Sequence, residues 1–185
     1  MKKIPLIIWL TLIVYTMVYL LVFGVESPII TLLLIGEADA FAAQFFNVMG
    51  LVPFYFLLDY LYFQNRRKFG MIPYLLGFIG GAFSILWGFN KVENHHHKFS
   101  MLAKIFLSLI VFLTFFVIYN GFTNGNPELY FNQFFDDALV GIMTVDFFVL
   151  YGWSILRSKQ LFKAWYVAFI PMIGYGLLML WNQRR

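Results

Sequence analysis

The stretch IPLIIWLTLIVYTMVYLLVF, Ile4 to Phe23, decides the fold class. It carries no charge, and a helix rising about 1.5 Å per residue needs about 20 apolar residues to cross a hydrocarbon core roughly 30 Å thick. Comparable stretches follow at residues 41–63, 71–89, 101–119, 138–156 and 161–181. The chain of 185 residues is 62% hydrophobic and 12% charged, against about 25% charged in an ordinary soluble domain. A soluble fold of this length could not hide that much apolar surface. The expectation is an all-α polytopic transmembrane bundle, a single integral membrane domain over residues 1–185, in a bacterial-type cytoplasmic membrane.

Several function classes fall away early. There is no cysteine, so disulfides, thiolate catalysis and Cys-based metal sites are excluded. The formal charge of +4 is small and reports topology, not nucleic-acid binding. Lys2 and Lys3 make a basic start, but the apolar run exceeds the roughly 7–15 residues of a signal-peptide core, and Val22-Phe23-Gly24 is a poor cleavage site. The segment reads as a retained helix. Phosphate-loop, zincin and serine-hydrolase patterns are not found, and no cofactor is called for. No internal repeat is apparent.

The spans and the charges disagree about topology. With six full spans and the N-terminus inside, Lys2, Lys3, Arg66, Arg67, Lys68, Arg184 and Arg185 stand on one side, against Lys91, Lys98, Lys104, Arg157, Lys159 and Lys163 on the other. That is almost no positive-inside bias. If the third segment turned back at Gly80-Gly81, five spans would place 11 basic residues inside against 2 outside. Yet residues 71–89 are long and apolar enough to span, and irregular backbone is not tolerated against lipid. Six spans are the first expectation, and five with a re-entrant third segment the alternative. Ile29–Ile35 is too short to span and is expected at the interface or folded onto the bundle.

Asp146, inside Thr144-Val145-Asp146-Phe147-Phe148, is the foremost candidate. A carboxylate at mid-bilayer costs about 2.5–3.5 kcal/mol even on lenient scales, so it must face the bundle, be neutral or have a partner. It is read as an ion or polar head-group site, or as a hydrogen-bonding group that holds helices together. Asn47, Gly50 and Pro53 are spaced by three and are expected to share roughly one face. Gly50 would permit close helix approach, and Pro53 would free the carbonyl of Met49. An Asn47–Asp146 hydrogen bond is expected at shared depth. Asp59, near the end of its segment, is expected to pair with a basic side chain at the interface. His95, His96 and His97 are weak metal candidates, because a structural zinc site wants four ligands, usually spaced. A solvated loop is the plainer reading. Asp136-Asp137 are expected to cap the fifth segment.

The string Phe45-Phe46-Asn47-Val48-Met49-Gly50-Leu51-Val52-Pro53 resembles a pattern in small multi-pass membrane proteins of cyanobacteria and plastids. Ile142-Met143-Thr144-Val145-Asp146-Phe147 and Phe169-Ile170-Pro171-Met172-Ile173-Gly174 are similar to that group's last two helices. The resemblance covers about a third of the chain. It implies a shared helical bundle and points to Asn47, Gly50, Pro53 and Asp146, and it supplies no reaction.

Three function readings remain open. A non-enzymatic bundle that binds a lipid or small apolar ligand, or supports a membrane protein partner, needs least. A small proton- or cation-coupled transporter would use Asp146. An intramembrane lipid-modifying enzyme would need two titratable groups at one depth; no catalytic residue is assigned, and the balance leans away from an enzyme. Beyond the lipid bilayer itself, no partner is named.

Overall fold

The computed structural model describes residues 4–24, 27–63, 70–88 and 99–181. The elements are α1 (Ile4–Phe23), α2 (Pro28–Ile35), α3 (Ala40–Phe63), α4 (Ile72–Gly88), α5 (Met101–Asn124), α6 (Pro127–Asp136), α7 (Ala138–Leu161) and α8 (Ile173–Trp181), with a 3-10 turn at Trp165–Phe169. Of these, α1, α3, α5 and α7 are long and apolar enough to cross a membrane. With the described residues helical in the main and four such helices among them, the chain is a membrane protein by length and composition. The breaks follow local chemistry. Pro28 and Pro127 open α2 and α6 in the first turn, where a missing N–H costs nothing. Gly36, at φ 77°, ends α2 in the left-handed conformation that suits glycine.

Neighbouring helices fix the directions. α3 and α5 are antiparallel over their whole length: Phe63 meets Phe99 at one end, and Phe41 meets Phe122 at the other. α7 runs parallel to α3, with Phe45 against Phe147 and Asp59 against Arg157. α1 ends beside α6, where the Tyr19 hydroxyl donates to the Phe134 carbonyl at 2.5 Å. One end of the bundle therefore carries Lys104, Arg157, Lys159 and Lys163. The opposite end carries Glu37, Asp39, Glu128, Asp136 and Asp137.

The third apolar segment is not the straight helix that six spans require. α4 is interrupted at Gly81 (φ 49°, ψ −130°), a conformation open to glycine and closed to other residues. The chain then doubles back. A Cβ on Gly88 would stand 3.2 Å from Pro73 Cβ, and one on Gly77 2.7 Å from Ile85 Cγ1. Residues 73 and 88 of a straight helix would lie about 22 Å apart. The first arm, residues 72–80, runs inward along α3, with Tyr74 stacked on Tyr60 and Phe78 edge-on to Phe54. The second arm, residues 82–88, runs outward beside α1, whose Trp9 Nε1 donates to the Phe83 carbonyl at 3.0 Å.

The last apolar segment is broken too. Residues 161–181 do not form one helix: α7 continues to Leu161, and the chain then runs back along it. Lys159 Nζ lies 5.4 Å from the Trp165 ring centre, and the Tyr151 hydroxyl donates to the Phe169 carbonyl at 2.5 Å. At Pro171-Met172 it turns again, with Met172 at φ 56°. A Cβ on Gly174 would stand 2.7 Å from the Val167 carbonyl carbon, so α8 starts back alongside the 3-10 turn and packs on α5.

Taken together, the elements repeat: long, short, long, broken, twice over. α3 and α7 both have 24 residues. Packing repeats as well. α1 packs on α4 and α7, and correspondingly α5 packs on α8 and α3. The capping aspartates are exchanged between halves. Asp39 Oδ1 accepts the Phe41 N–H at the start of α3 (2.9 Å) and the Asn126 N–H just ahead of α6 (3.1 Å). Asp137 Oδ1 accepts the Leu139 N–H at the start of α7 (2.9 Å) and the Ser27 hydroxyl just ahead of α2 (2.6 Å). The Asp137 cap is the one expected from sequence. The repeat was not apparent in the sequence because it lies in element lengths and packing, not in matching residues.

Candidate functional site

α7 brings Asp146 to the tip of the α4 hairpin. Asp146 is 4% exposed. Its Oδ2 accepts the Ala82 N–H at 2.8 Å, the first amide beyond the reversal. Its Oδ1 is buried and has no hydrogen-bond partner. Gly81 sits directly against the carboxylate, so a Cβ there would overlap Oδ2 and lie 3.3 Å from Met49 Cε. Helix reversal leaves amides without internal acceptors, and Asp146 satisfies one of them with a charge-assisted bond when ionised.

One step nearer the acidic end, the Thr144 hydroxyl donates to the Val140 carbonyl at 2.6 Å and makes a short hydrogen bond with the Tyr130 hydroxyl from α6. Phe45 stacks on Tyr130 at 4.8 Å and meets Phe147 edge-on at 5.4 Å. This aromatic layer packs the acidic end of the bundle beside Asp146. Burial pushes the Tyr130 phenol up to about 12, so the layer stays neutral at ordinary pH.

Eleven residues further along α7, three turns on and on nearly the same face, lies Arg157. Arg157 and Asp59 are 2% and 0% exposed. Arg157 Nε donates to Asp59 Oδ1 at 3.2 Å and to Oδ2 at 3.1 Å. Tyr175 of α8 lies beside both groups and packs on Phe56. Asp59 and Arg157 occupy matching positions of α3 and α7, each four residues before the helix's last. The ion pair thus joins the two halves.

The remaining candidates separate. Asn47 and Gly50 are exposed on the outside of the bundle, Pro53 is buried, and no hydrogen bond joins Asn47 to Asp146. The expected shared face fails for a geometric reason: each step of three residues falls about 60° short of a full turn, so two steps carry Pro53 about 120° from Asn47. Nothing lies within 4 Å of a Cβ on Gly50, so it is not a close-approach point. Met49, not Asn47, reaches the Asp146 region. Asp59 is buried in the bundle and pairs with a basic side chain, Arg157. α3 turns it toward α7, and Arg157, expected in a loop, is inside a helix that runs five residues past the expected boundary. His95, His96 and His97 lie outside the described residues. Among the described residues no three His, Asp or Glu gather in a way that could hold a metal.

Sequence reasoning missed Arg157 and Tyr175. The one available signal was the spacing of Asp146 and Arg157, which shares a helix face if the helix is extended to 161. No family model matches the chain, and no curated protein or solved structure matches it either.

Proposed function

We propose that the chain is a small two-repeat carrier in which Asp146 exchanges a proton or small cation and α4 is the element that responds. The observation that carries this reading is the buried Asp146 carboxylate at the tip of a returning helix pair, with one oxygen holding the Ala82 amide and the other unpaired. Non-helical backbone at membrane depth is tolerated only where protein or a water-filled cavity surrounds it, and carriers build their sites on such broken helices at repeat interfaces. An intramembrane carboxylate is costly and is functional by default. Taking up a proton turns the charge-assisted bond to Ala82 into a weaker neutral one, and so loosens the tip of α4. Asp146 and Arg157 stand about 16 Å apart along α7, which speaks against paired acid–base chemistry at one depth.

The topology proposed with it has four crossings, α1, α3, α5 and α7, while α4 and the segment after α7 enter from one face and return. Among the described residues Lys104, Arg157, Lys159 and Lys163 then stand at that face, and in sequence Lys2 and Lys3 precede α1, Arg66 to Lys68 follow α3, Lys91 and Lys98 precede α5, and Arg184 and Arg185 follow α8. The positive-inside rule makes that face cytoplasmic. Kinship to the cyanobacterial and plastid group, and residence in a bacterial-type cytoplasmic membrane, belong to the same proposal.

The test is proton flux in liposomes, wild type against Asp146→Asn. Flux in the wild type that disappears in the variant supports the reading; absence of flux in the wild type across imposed proton and sodium gradients sinks it. A second reading, a bundle that binds an amphiphile without transport, is supported by the buried Arg157 guanidinium, whose Nη1 and Nη2 have no protein acceptor.

A further inference from the structure

Arg157 is among the largest fully buried side chains of the described structure, and only one edge of its guanidinium is used. Asp59 takes Nε alone. Nη1 and Nη2, also buried, meet no protein acceptor. The Tyr175 hydroxyl, set against the same pair, is likewise buried without a hydrogen bond of ordinary geometry. A buried donor left unmatched costs about 1–3 kcal/mol, and more when charged. Replacing a buried ion pair by packed apolar side chains is often neutral or stabilising, so an unfinished cationic set is not needed to hold the two halves together. A guanidinium fork with two free N–H edges matches the two oxygens of a carboxylate or phosphate. Lys159 and Lys163 stand at the same end of α7 and add positive potential there.

We propose that the Nη edge of Arg157, with the Tyr175 hydroxyl, binds an oxyanion, a phosphate or carboxylate group, approaching from the basic end of the bundle. The group belongs either to an amphiphile from the surrounding leaflet or to a free solute. Asp59 fixes the guanidinium through Nε and leaves the fork directed at the ligand. This deepens the amphiphile-binding reading and stands independently of proton exchange at Asp146.

The test uses the full chain, purified in neutral detergent, with three probes: inorganic phosphate, decanoate, and phosphatidate in phosphatidylcholine nanodiscs. At least one binds the wild type. Binding of phosphate alone identifies a solute; binding of phosphatidate or decanoate without phosphate identifies an amphiphile. Arg157→Lys keeps a cation for Asp59 and loses the fork, and weakens binding about tenfold or more, the worth of one charged hydrogen bond. Should that variant fail to fold, Tyr175→Phe, which removes only the hydroxyl, weakens binding about threefold or more. Asp146→Asn binds as the wild type does. No binding of any probe to the wild type overturns the proposal, and so does equal binding by the wild type and a folded Arg157→Lys or Tyr175→Phe variant.

Discussion

The two broken segments share a position in their repeats and differ at their tips. α4 turns at Gly81 and sets its first free amide on the Asp146 carboxylate. The segment after α7 turns at Pro171-Met172, next to the Phe169 carbonyl that accepts from Tyr151, and among the described residues that tip is tied by neutral groups: Gly174 donates to Ile170 at 3.0 Å and Gly176 to Met172 at 3.2 Å. A neutral tie does not change with proton or cation binding, whereas a carboxylate tie does. The comparison separates what the fold needs, a satisfied reversal, from what only one half has, a reversal whose strength depends on charge.

The largest effect tests what joins the halves rather than either tip. Arg157→Ala takes the guanidinium away from buried Asp59 and costs about 3–5 kcal/mol, read as a fall in the denaturation midpoint in detergent. The pair Asp59→Leu with Arg157→Met recovers most of that loss. A double variant no more stable than Arg157→Ala would mean that the charges themselves hold the halves. Next comes Gly81→Ala, which forces an unsuitable φ and overlaps Asp146; together these cost about 3 kcal/mol. An unchanged midpoint would remove the tight reversal on which the comparison rests.

The tips can then be set against each other directly. Asp146→Leu loses the acceptor for Ala82 and costs about 2 kcal/mol, while Asp146→Asn keeps an oxygen there and costs less than about 1 kcal/mol. Tyr151→Phe removes the neutral tie at the second tip for about 1 kcal/mol and leaves proton flux as in the wild type. Equal loss of flux in Asp146→Asn and Tyr151→Phe would erase the distinction between the tips. The smallest effect belongs to Gly50→Ala. With open space around the position, replacing a helical glycine stabilises α3 by about 0.5–1 kcal/mol, and a loss instead would restore Gly50 as a packing point.

Much of this was legible in the sequence, and its failures are instructive. The four long helices follow from apolar length alone, and the Gly80-Gly81 turn was visible as the alternative to a full span that the positive-inside rule favours. Asp146 stood out because a carboxylate is expensive at that depth. The second broken segment was hidden: apart from Lys163 near its start, Leu161 to Trp181 carries no charge, and nothing in its hydropathy marks the left-handed Met172. Asn47 misled because polarity was taken for inward orientation, while α3 turns its Met49 face inward. Arg157 was misplaced because a charge near a span end reads as a loop residue. Only a partner on another helix, Asp59, brings it inside, and pairing across helices is not written in either helix alone.

The central claim is that α4 enters and leaves by the same face. The chain has no cysteine, so single cysteines can be placed at Met71, Met101 and Asn124, all exposed positions flanking α4 or ending α5. An impermeant maleimide applied to sealed vesicles of known orientation reads their sides. The account predicts that Met71→Cys and Met101→Cys label from the cytoplasmic side and Asn124→Cys from the other. Labelling of Met71→Cys and Met101→Cys from opposite sides would make α4 a crossing helix and contradict the account.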